Sequence, residues 1–176
     1  MNVSIFKSIM KPLLESNTVK NRAVFADIMA TAYSVSTVGY AGTSYGAQLV
    51  QGDKSFLQKC INDALDANFS DDTRSVNQTA YKLMAFGFMG YWASAKFTPL
   101  FPVEKMDAVV KPTKILSPGN VGGLGANLFY AFVMGNADAQ LNALTTSLLL
   151  FQRTISGIIV GTKSGATVPF PWTGII

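Results

Sequence analysis

Apolar residues recur at helical spacing through the first part of the chain. In residues 2–14 they alternate with two lysines and are interrupted by Pro12, a pattern that predicts a short helix or an arm. Residues 24–33 keep a regular helical period and predict a helix. A further helix is predicted after Asp53, a good N-cap residue. Its apolar stripe consists of Phe56, Leu57, Cys60, Ile61, Ala64 and Leu65.

The second half of the chain mixes apolar runs with residues that break helices. Ser70, followed by two aspartates, predicts the start of another helix. Over residues 83–97 this helix is apolar on nearly every side, which is typical of a helix that is buried all round. Four prolines between residues 99 and 118 then predict a loop or a pair of short strands. Asn136 signals a last helix over roughly residues 137–160.

These elements predict a mainly α-helical fold, a single domain of about four to five helices with a Pro/Gly-rich irregular segment and apolar terminal arms. The predicted divisions are an N-terminal arm (1–17), a helical region (18–97), a Pro/Gly-rich connection with an apolar segment (98–135), a last helix (136–161) and a C-terminal arm (162–176). Chain ends are usually polar and frayed, so apolar ends need cover. Two alternatives stay open: an arm clamps on a neighbouring subunit, or it folds back on its own core.

The composition leaves more apolar surface than the charged residues can solvate. Hydrophobic residues make up 49% of the 176 residues and charged residues 14%, whereas soluble domains average about 25% charged residues. The surplus apolar surface predicts contact with other copies of the chain, with lipid, or with both. Neutral Ser, Thr, Asn and Gln suit such contacts, because they cost less to bury than charges when they are hydrogen-bonded.

Catalytic and metal-binding chemistry is poorly supplied. The chain has no histidine and a single cysteine, Cys60, which excludes zinc sites, Cys–His pairs and Ser–His–Asp triads. Cys60 lies in an apolar stripe and is predicted to be a small core residue. We therefore expect no catalytic residue, no cofactor, no metal site and no enzymatic activity. An enzyme that uses carboxylates, serines or tyrosines is the remaining alternative.

Two motifs invite a functional interpretation that their spacing does not support. Residues 157–164, GIIVGTKS, look like a phosphate loop, but three residues separate the glycines instead of four, and Thr162 precedes the lysine. The aspartates at positions 63, 66, 71 and 72 lack the alternation and the final glutamate of a calcium loop. We expect a tight connection at the first motif and a solvated helix face with a cap at the second.

The charge distribution indicates where an anionic partner would bind. Residues 1–22 carry four cations against Glu15, and no acid follows Asp138. Arg153 lies alone in an apolar stripe, where it snorkels, pairs with an acid such as Asp27, or projects towards a phosphate or an acid of the next subunit. The hypothetical contacts with nucleic acid are Lys7, Lys11, Lys20, Arg22 and Arg153.

The chain resembles the mostly helical coat proteins of virions in its composition, although no sequence motif carries the resemblance. The resemblance implies a structural protein without catalytic residues, with apolar arms and with basic residues that face the genome. No residue role is carried over from it. The expected function is a non-enzymatic, self-assembling subunit of a virion, a coat or capsid-associated protein whose partners are copies of itself and viral genome nucleic acid.

The alternative function is a helical membrane-inserting protein that contacts lipid and resides in a membrane. The uncharged stretches that are long enough to span, residues 28–52 and 115–137, are rich in Ser, Thr, Asn, Gly and Pro. Arg153 also divides the last predicted helix, and a central arginine costs about 2.5–3.5 kcal/mol on insertion scales. The structural subunit is therefore the favoured prediction.

Overall fold

A computed structural model gives the structure of residues 1–16, 21–69, 78–99 and 106–176. The helices in these ranges are α1 (Val3–Glu15), α2 (Arg22–Thr37), α3 (Lys54–Phe69), α4 (Gln78–Ala93), α5 (Val121–Phe132) and α6 (Ala137–Gln152). The strands are β1 (Ala47–Gln51), β2 (Lys96–Pro99), β3 (Ala108–Ser117), β4 (Ser156–Lys163) and β5 (Ala166–Thr173). The described residues thus form six helices and five strands, and the expectation of a mainly α-helical fold with four to five helices is wrong.

The helices pack in chain order as a closed ring. Each helix contacts the next one from α1 to α6, and α6 returns to α1. Aromatic side chains meet inside the ring. Tyr33 of α2 lies edge-on to Phe88 of α4, with 4.8 Å between ring centroids, and Phe25 of α2 packs against Phe132 of α5 at 6.1 Å. The ring therefore encloses a core that all six helices share.

Side-chain oxygens cap the N-termini of five helices. The caps of α1, α2, α5 and α6 are Asn2, Asn21, Asn120 and Asn136. Each accepts a hydrogen bond from a backbone N–H of the first turn, which would otherwise lack a partner. Asp53 accepts from Phe56 N at 2.9 Å at the start of α3. The predicted caps at Asp53 and Asn136 are confirmed, and the helix start predicted at Ser70 lies outside the described residues.

Two antiparallel sheets extend the helical core. β1 pairs with β2, and β4 lies between β3 and β5 in a three-stranded sheet. A run of aromatic rings joins helices and sheets: Trp92 of α4 stacks on Phe97 of β2 at 6.4 Å, and Phe97 meets Trp172 of β5 at 6.2 Å. Helices and sheets therefore share a continuous apolar core.

The region predicted as one helix over residues 136–161 changes from helix to strand. α6 ends at Gln152 and β4 begins at Ser156. Burial in β4 alternates with every second residue, as in a strand with one face on the core. Its centre, 158–160, is a run of β-branched residues, which favour strand over helix. The helix prediction fails here because it weighed apolar content and not side-chain branching.

Both ends of the described chain pack onto its own core, and the expectation of apolar terminal arms is wrong. Phe6 and Met10 of α1 are fully buried. At the other end, β5 pairs with β4 through the turn 164–165, in which both residues have positive φ, 51° and 81°. Phe170 and Trp172 of β5 are buried. Of the two alternatives for the ends, folding back on the core is the one that the structure shows.

A buried phenol connects three helices at the centre of the ring. The oxygen of Tyr33 in α2 accepts hydrogen bonds from Trp92 Nε1 of α4 at 2.8 Å and from Gln152 Nε2 of α6 at 3.0 Å. All three side chains are fully buried, and burial raises the pKa of the Tyr33 phenol. Because none of these polar atoms can turn to water, the network specifies one arrangement of α2, α4 and α6.

We expect Tyr33→Phe to lower the free energy of unfolding by at least about 2 kcal/mol, because it leaves two buried donors without an acceptor, at about 1–3 kcal/mol each. The measurement is urea denaturation followed by circular dichroism. Tyr130→Phe is the matched control, since Tyr130 is 63% exposed, and it should change stability by less than about 0.5 kcal/mol. Equal stability of the two variants would contradict the role of this network.

A glycine in β4 allows the sheet to close over the core. A Cβ at Gly157 would overlap the indole of Trp172 and lie 2.5 Å from Lys114 O of β3. We expect Gly157→Ala to destabilise the protein by about 1–3 kcal/mol through overpacking, measured as a shift of the thermal midpoint. Gly135→Ala is the control, because no atom lies within 4 Å of its Cβ position. If the two variants have the same thermal midpoint, close packing at Gly157 is disproved.

Candidate assembly surface

The predicted nucleic-acid residues of α1 lie against α6. Lys11 forms ion pairs with Asp138 at 2.9 Å and with Glu15 at 3.5 Å. The hydrogen bond and charge of Asp138 raise the pKa of Lys11. Lys7 Nζ donates a hydrogen bond to Asn142 Oδ1 at 2.6 Å. Both lysines are thus engaged with α6 within the fold.

The other predicted nucleic-acid residues lie in different places. Arg22 pairs with Asp66 of α3 at 2.9 Å, and Lys20 lies outside the described residues. Arg153 is the exposed C-cap of α6. Fifteen helix positions, about 22 Å, separate it from Asp138, where Lys11 binds. The structure therefore does not gather these cations into one patch, and their contact with nucleic acid stays a prediction.

The suggested acidic partner of Arg153 is engaged elsewhere. Asp27 of α2 pairs with Lys54 of α3 at 3.1 Å. Asp63 likewise pairs with Lys59 one turn away. Within the described ranges, no group of three histidine, cysteine, aspartate or glutamate side chains is placed to hold a metal ion. The positions 71 and 72 of the predicted acidic face fall outside those ranges.

The remaining motifs have structural roles. The GIIVGTKS segment, 157–164, forms β4 and the start of its hairpin turn, so it does not precede a helix as a phosphate loop does. Cys60 is buried in α3, as predicted, and burial raises the pKa of its thiol. In α4, Phe88, Tyr91 and Trp92 are fully buried, but Phe86 is 44% exposed and the helix ends at Ala93, so the prediction of a helix over residues 83–97 that is buried all round is wrong. These motifs therefore contribute to the fold of the described residues.

An open groove runs between α5 and α6. It encloses about 490 Å³, and a second hollow continues it towards the start of α5, sharing Asn127, Ser147 and Leu150 with it. Its lining contains no charged side chain. The large apolar side chains along it are well exposed: Tyr130 is 63%, Leu150 47% and Met134 41% exposed. The groove is therefore an apolar surface with neutral polar groups among its lining.

Small side chains produce this groove. Between the two helices, α6 presents Ala139, Ala143 and Ser147, and α5 presents Ala131. These residues leave space that larger residues would fill, while the longer side chains of Tyr130 and Leu150 border it. A concave, uncharged surface of this kind suits an inserted apolar side chain from another molecule.

A second exposed apolar surface lies beside β1. Tyr40 and Val50 are 54% and 51% exposed. They are neighbours because Gly39 N donates a hydrogen bond to Leu49 O at 2.8 Å. This surface, Tyr40 with Val50, differs in shape and sequence from the groove. The molecule therefore carries two unlike apolar surfaces.

Comparisons with protein families, with curated proteins and with solved structures found no match to this chain. Among the described residues, none of the helices combines the length and the apolar character needed to cross a membrane. Function is therefore inferred from the exposed surfaces of this molecule.

The groove was not predicted from the sequence, although a signal for it exists. The sequence pattern predicts a connection over residues 98–135, whereas the structure places the apolar run of this segment in α5. In the helix, Leu124, Leu128 and Ala131 form the buried stripe. Tyr130 falls off that stripe and is exposed, and Met134, which follows the helix, is exposed as well. Apolar residues on the outward face of an amphipathic helix would have indicated a contact surface.

Proposed function

We propose that this protein is a non-enzymatic structural subunit that assembles with copies of itself, as a viral coat or capsid-associated protein. The observation that supports the proposal is the uncharged, exposed groove between α5 and α6. It is the kind of surface that the surplus of apolar residues requires, and it lies on a fold whose ends are already packed onto the core.

The groove offers enough apolar surface for association. Covering a large apolar side chain contributes about 1.5–3 kcal/mol, and Tyr130, Met134 and Leu150 are each at least 41% exposed. The polar side chains of the lining are neutral, and the nearby ammonium of Lys7 keeps Asn142 of the lining as its hydrogen-bond acceptor. A partner with an apolar contact surface would therefore bind there without a large desolvation cost.

The position of the second surface favours a copy of the same chain as that partner. Ile175 N donates to Gln152 O, and Ile176 N to Gly42 O, both at 2.9 Å, so the end of α6 lies near the segment that carries Tyr40. Met134 precedes the other end of α6, which is about 24 Å long. The groove itself runs along α6 as far as Leu150, so the Tyr40 surface lies near that end of the groove. A groove with a separate, unlike apolar surface on the same subunit suits a head-to-tail contact, which repeats into a ring, a shell or a filament.

The test of self-assembly is light scattering with negative-stain imaging of the purified chain, kept free of detergent and examined over a range of concentrations. We expect regular rods, rings or shells above a threshold concentration, because heterologous contacts repeat. A monomer at every concentration would overturn the proposal. A protein that stays insoluble until detergent is added would support the membrane-inserting alternative.

We expect Leu150→Asp to raise the threshold concentration for assembly at least about tenfold. Because Leu150 is 47% exposed, the variant loses about 0.7–1.5 kcal/mol of apolar burial per contact. The carboxylate adds a desolvation cost in the contact, and about 1.4 kcal/mol corresponds to a factor of ten. The variant should keep its thermal midpoint, because Leu150 is half-exposed in the subunit. Sedimentation velocity measures the assembled fraction.

Val24→Asp is the matched control for this test. Val24 is 50% exposed on α2 and is absent from the groove lining, and an acid in the first turn suits the helix dipole. The control should assemble as the wild-type chain does. A groove variant that assembles normally, or a control that fails equally, would show that the groove is not the interface.

A further inference from the structure

Ion pairs engage most of the acidic side chains that the structure describes. Five ion pairs are present there, and all of them join residues of helices. The two other acids in the described ranges, Asp53 and Asp107, accept hydrogen bonds from backbone N–H groups at Phe56 and Ser164. The acids in the described part of the chain are therefore engaged within the fold.

The three-stranded sheet carries cations without such partners. Lys111 and Lys114 of β3 are exposed, and none of the described acids lies within ion-pair distance of them. Lys111 lies opposite Val160 of β4, and Lys114 lies opposite Ile158. Directly opposite residues share a face of the sheet. The two lysines therefore share one face.

That face is turned away from the core. Along β4, Gly157, Ile159 and Gly161 are buried, while Ile158 and Val160 between them are partly exposed. Alternation in a strand places the second set on the opposite side. The face that holds Lys111, Lys114, Ile158 and Val160, which we call the outer face, is open to solvent.

Two further cations lie at the ends of this sheet. Lys163 is exposed beside the hairpin turn between β4 and β5. Arg153 comes three positions before β4, and its Cα would lie 3.8 Å from a Cβ at Gly174, just past the end of β5. In the alternation of β4, Lys163 falls in the phase of Gly157, Ile159 and Gly161, so it lies at the hairpin end of the sheet on the side opposite to the outer face. Within the described sheet, β3, β4 and β5 contain no acidic residue.

We propose that the outer face of the β3–β4–β5 sheet binds the phosphate backbone of nucleic acid through Lys111 and Lys114. Lysines without acidic partners neutralise phosphates and release their counterions. The paired positions of the outer face carry no aromatic side chain, so bases find no stacking platform. Binding is therefore independent of base sequence.

Pairing with another strand at the free edge of β5 is blocked. The two-residue turn makes Lys163 and Ala166 a hydrogen-bonded pair, so Phe170 and Trp172 also bond to β4. Pro169 and Pro171 occupy the intervening positions, whose nitrogens point away from β4 and carry no hydrogen. A copy of the chain therefore cannot extend the sheet by pairing at these positions. The positive charge of the outer face also favours a polyanion over a second copy of this chain, because the acidic side chains in the described residues are already engaged.

This proposal goes beyond self-assembly, because the sheet and the groove use different residues. The test measures fluorescence anisotropy of a labelled 20-nucleotide single strand, and of a duplex, against salt concentration. For the single strand, Lys111→Gln/Lys114→Gln should reduce the slope of log affinity against log salt by about 1.4, at about 0.7 per phosphate contact. The affinity at 0.1 M salt should fall about 25-fold by the same relation.

The control is Lys7→Gln/Lys82→Gln, which removes the same charge from two helix positions outside the sheet, the half-buried Lys7 of α1 and the exposed Lys82 of α4. It should leave the slope unchanged, and it also tests the prediction that Lys7 contacts nucleic acid. Each substitution is made both in the otherwise wild-type chain and in the Leu150→Asp variant, so that a failure of assembly is distinguished from a failure of binding. Circular dichroism confirms that each variant is folded.

Three outcomes would overturn the proposal. The wild-type chain does not bind the oligonucleotides at low salt, or the control double variant loses as much of the slope as the sheet variant does. The third outcome uses vesicles of phosphatidylserine as the probe: the sheet variant loses vesicle binding but keeps oligonucleotide binding, and the face then serves an anionic membrane. Equal affinity for strands of different base sequence supports a backbone contact.

Discussion

One buried oxygen determines how the helices of this protein meet. Tyr33 accepts hydrogen bonds from Trp92 and Gln152, which lie 59 and 119 positions further along the chain. Because burial leaves these donors no alternative partner, α2, α4 and α6 have one mutual arrangement. α1 closes the ring by packing between α2 and α6. Trp92 also begins the run of rings through Phe97 to Trp172, so the same centre positions the sheets.

The packing of both ends of the described chain bears on the apolar residues that stay exposed. Both ends of the described chain are packed on the core, and prolines remove donors from the edge of β5. The large apolar side chains along the groove between α5 and α6, Tyr130, Met134 and Leu150, do not belong to the buried core of the described residues. An uncharged groove of this kind is compatible with the association of folded subunits that we propose.

Charge is divided between the two parts of the molecule. In the described residues, three ion pairs connect one helix to another and two lie within a helix, whereas the lysines of β3 have no acidic neighbour on their face. Exposed ion pairs contribute little to stability, but they remove cations from contact with other molecules. The division separates the neutral groove, for which we propose assembly, from the basic outer face, for which we propose binding of a polyanion.

The sequence by itself determined local features, because neighbours in the chain decide them: the caps at Asp53 and Asn136, the core position of Cys60 and the burial of Tyr91 and Trp92. Only the tertiary structure decided that residues 156–163 pair with β3 as well as with the adjacent β5, that the ends return to the core, and which cations keep no partner. Partners far away in the chain decide these features, and periodicity within one segment carries no information about them.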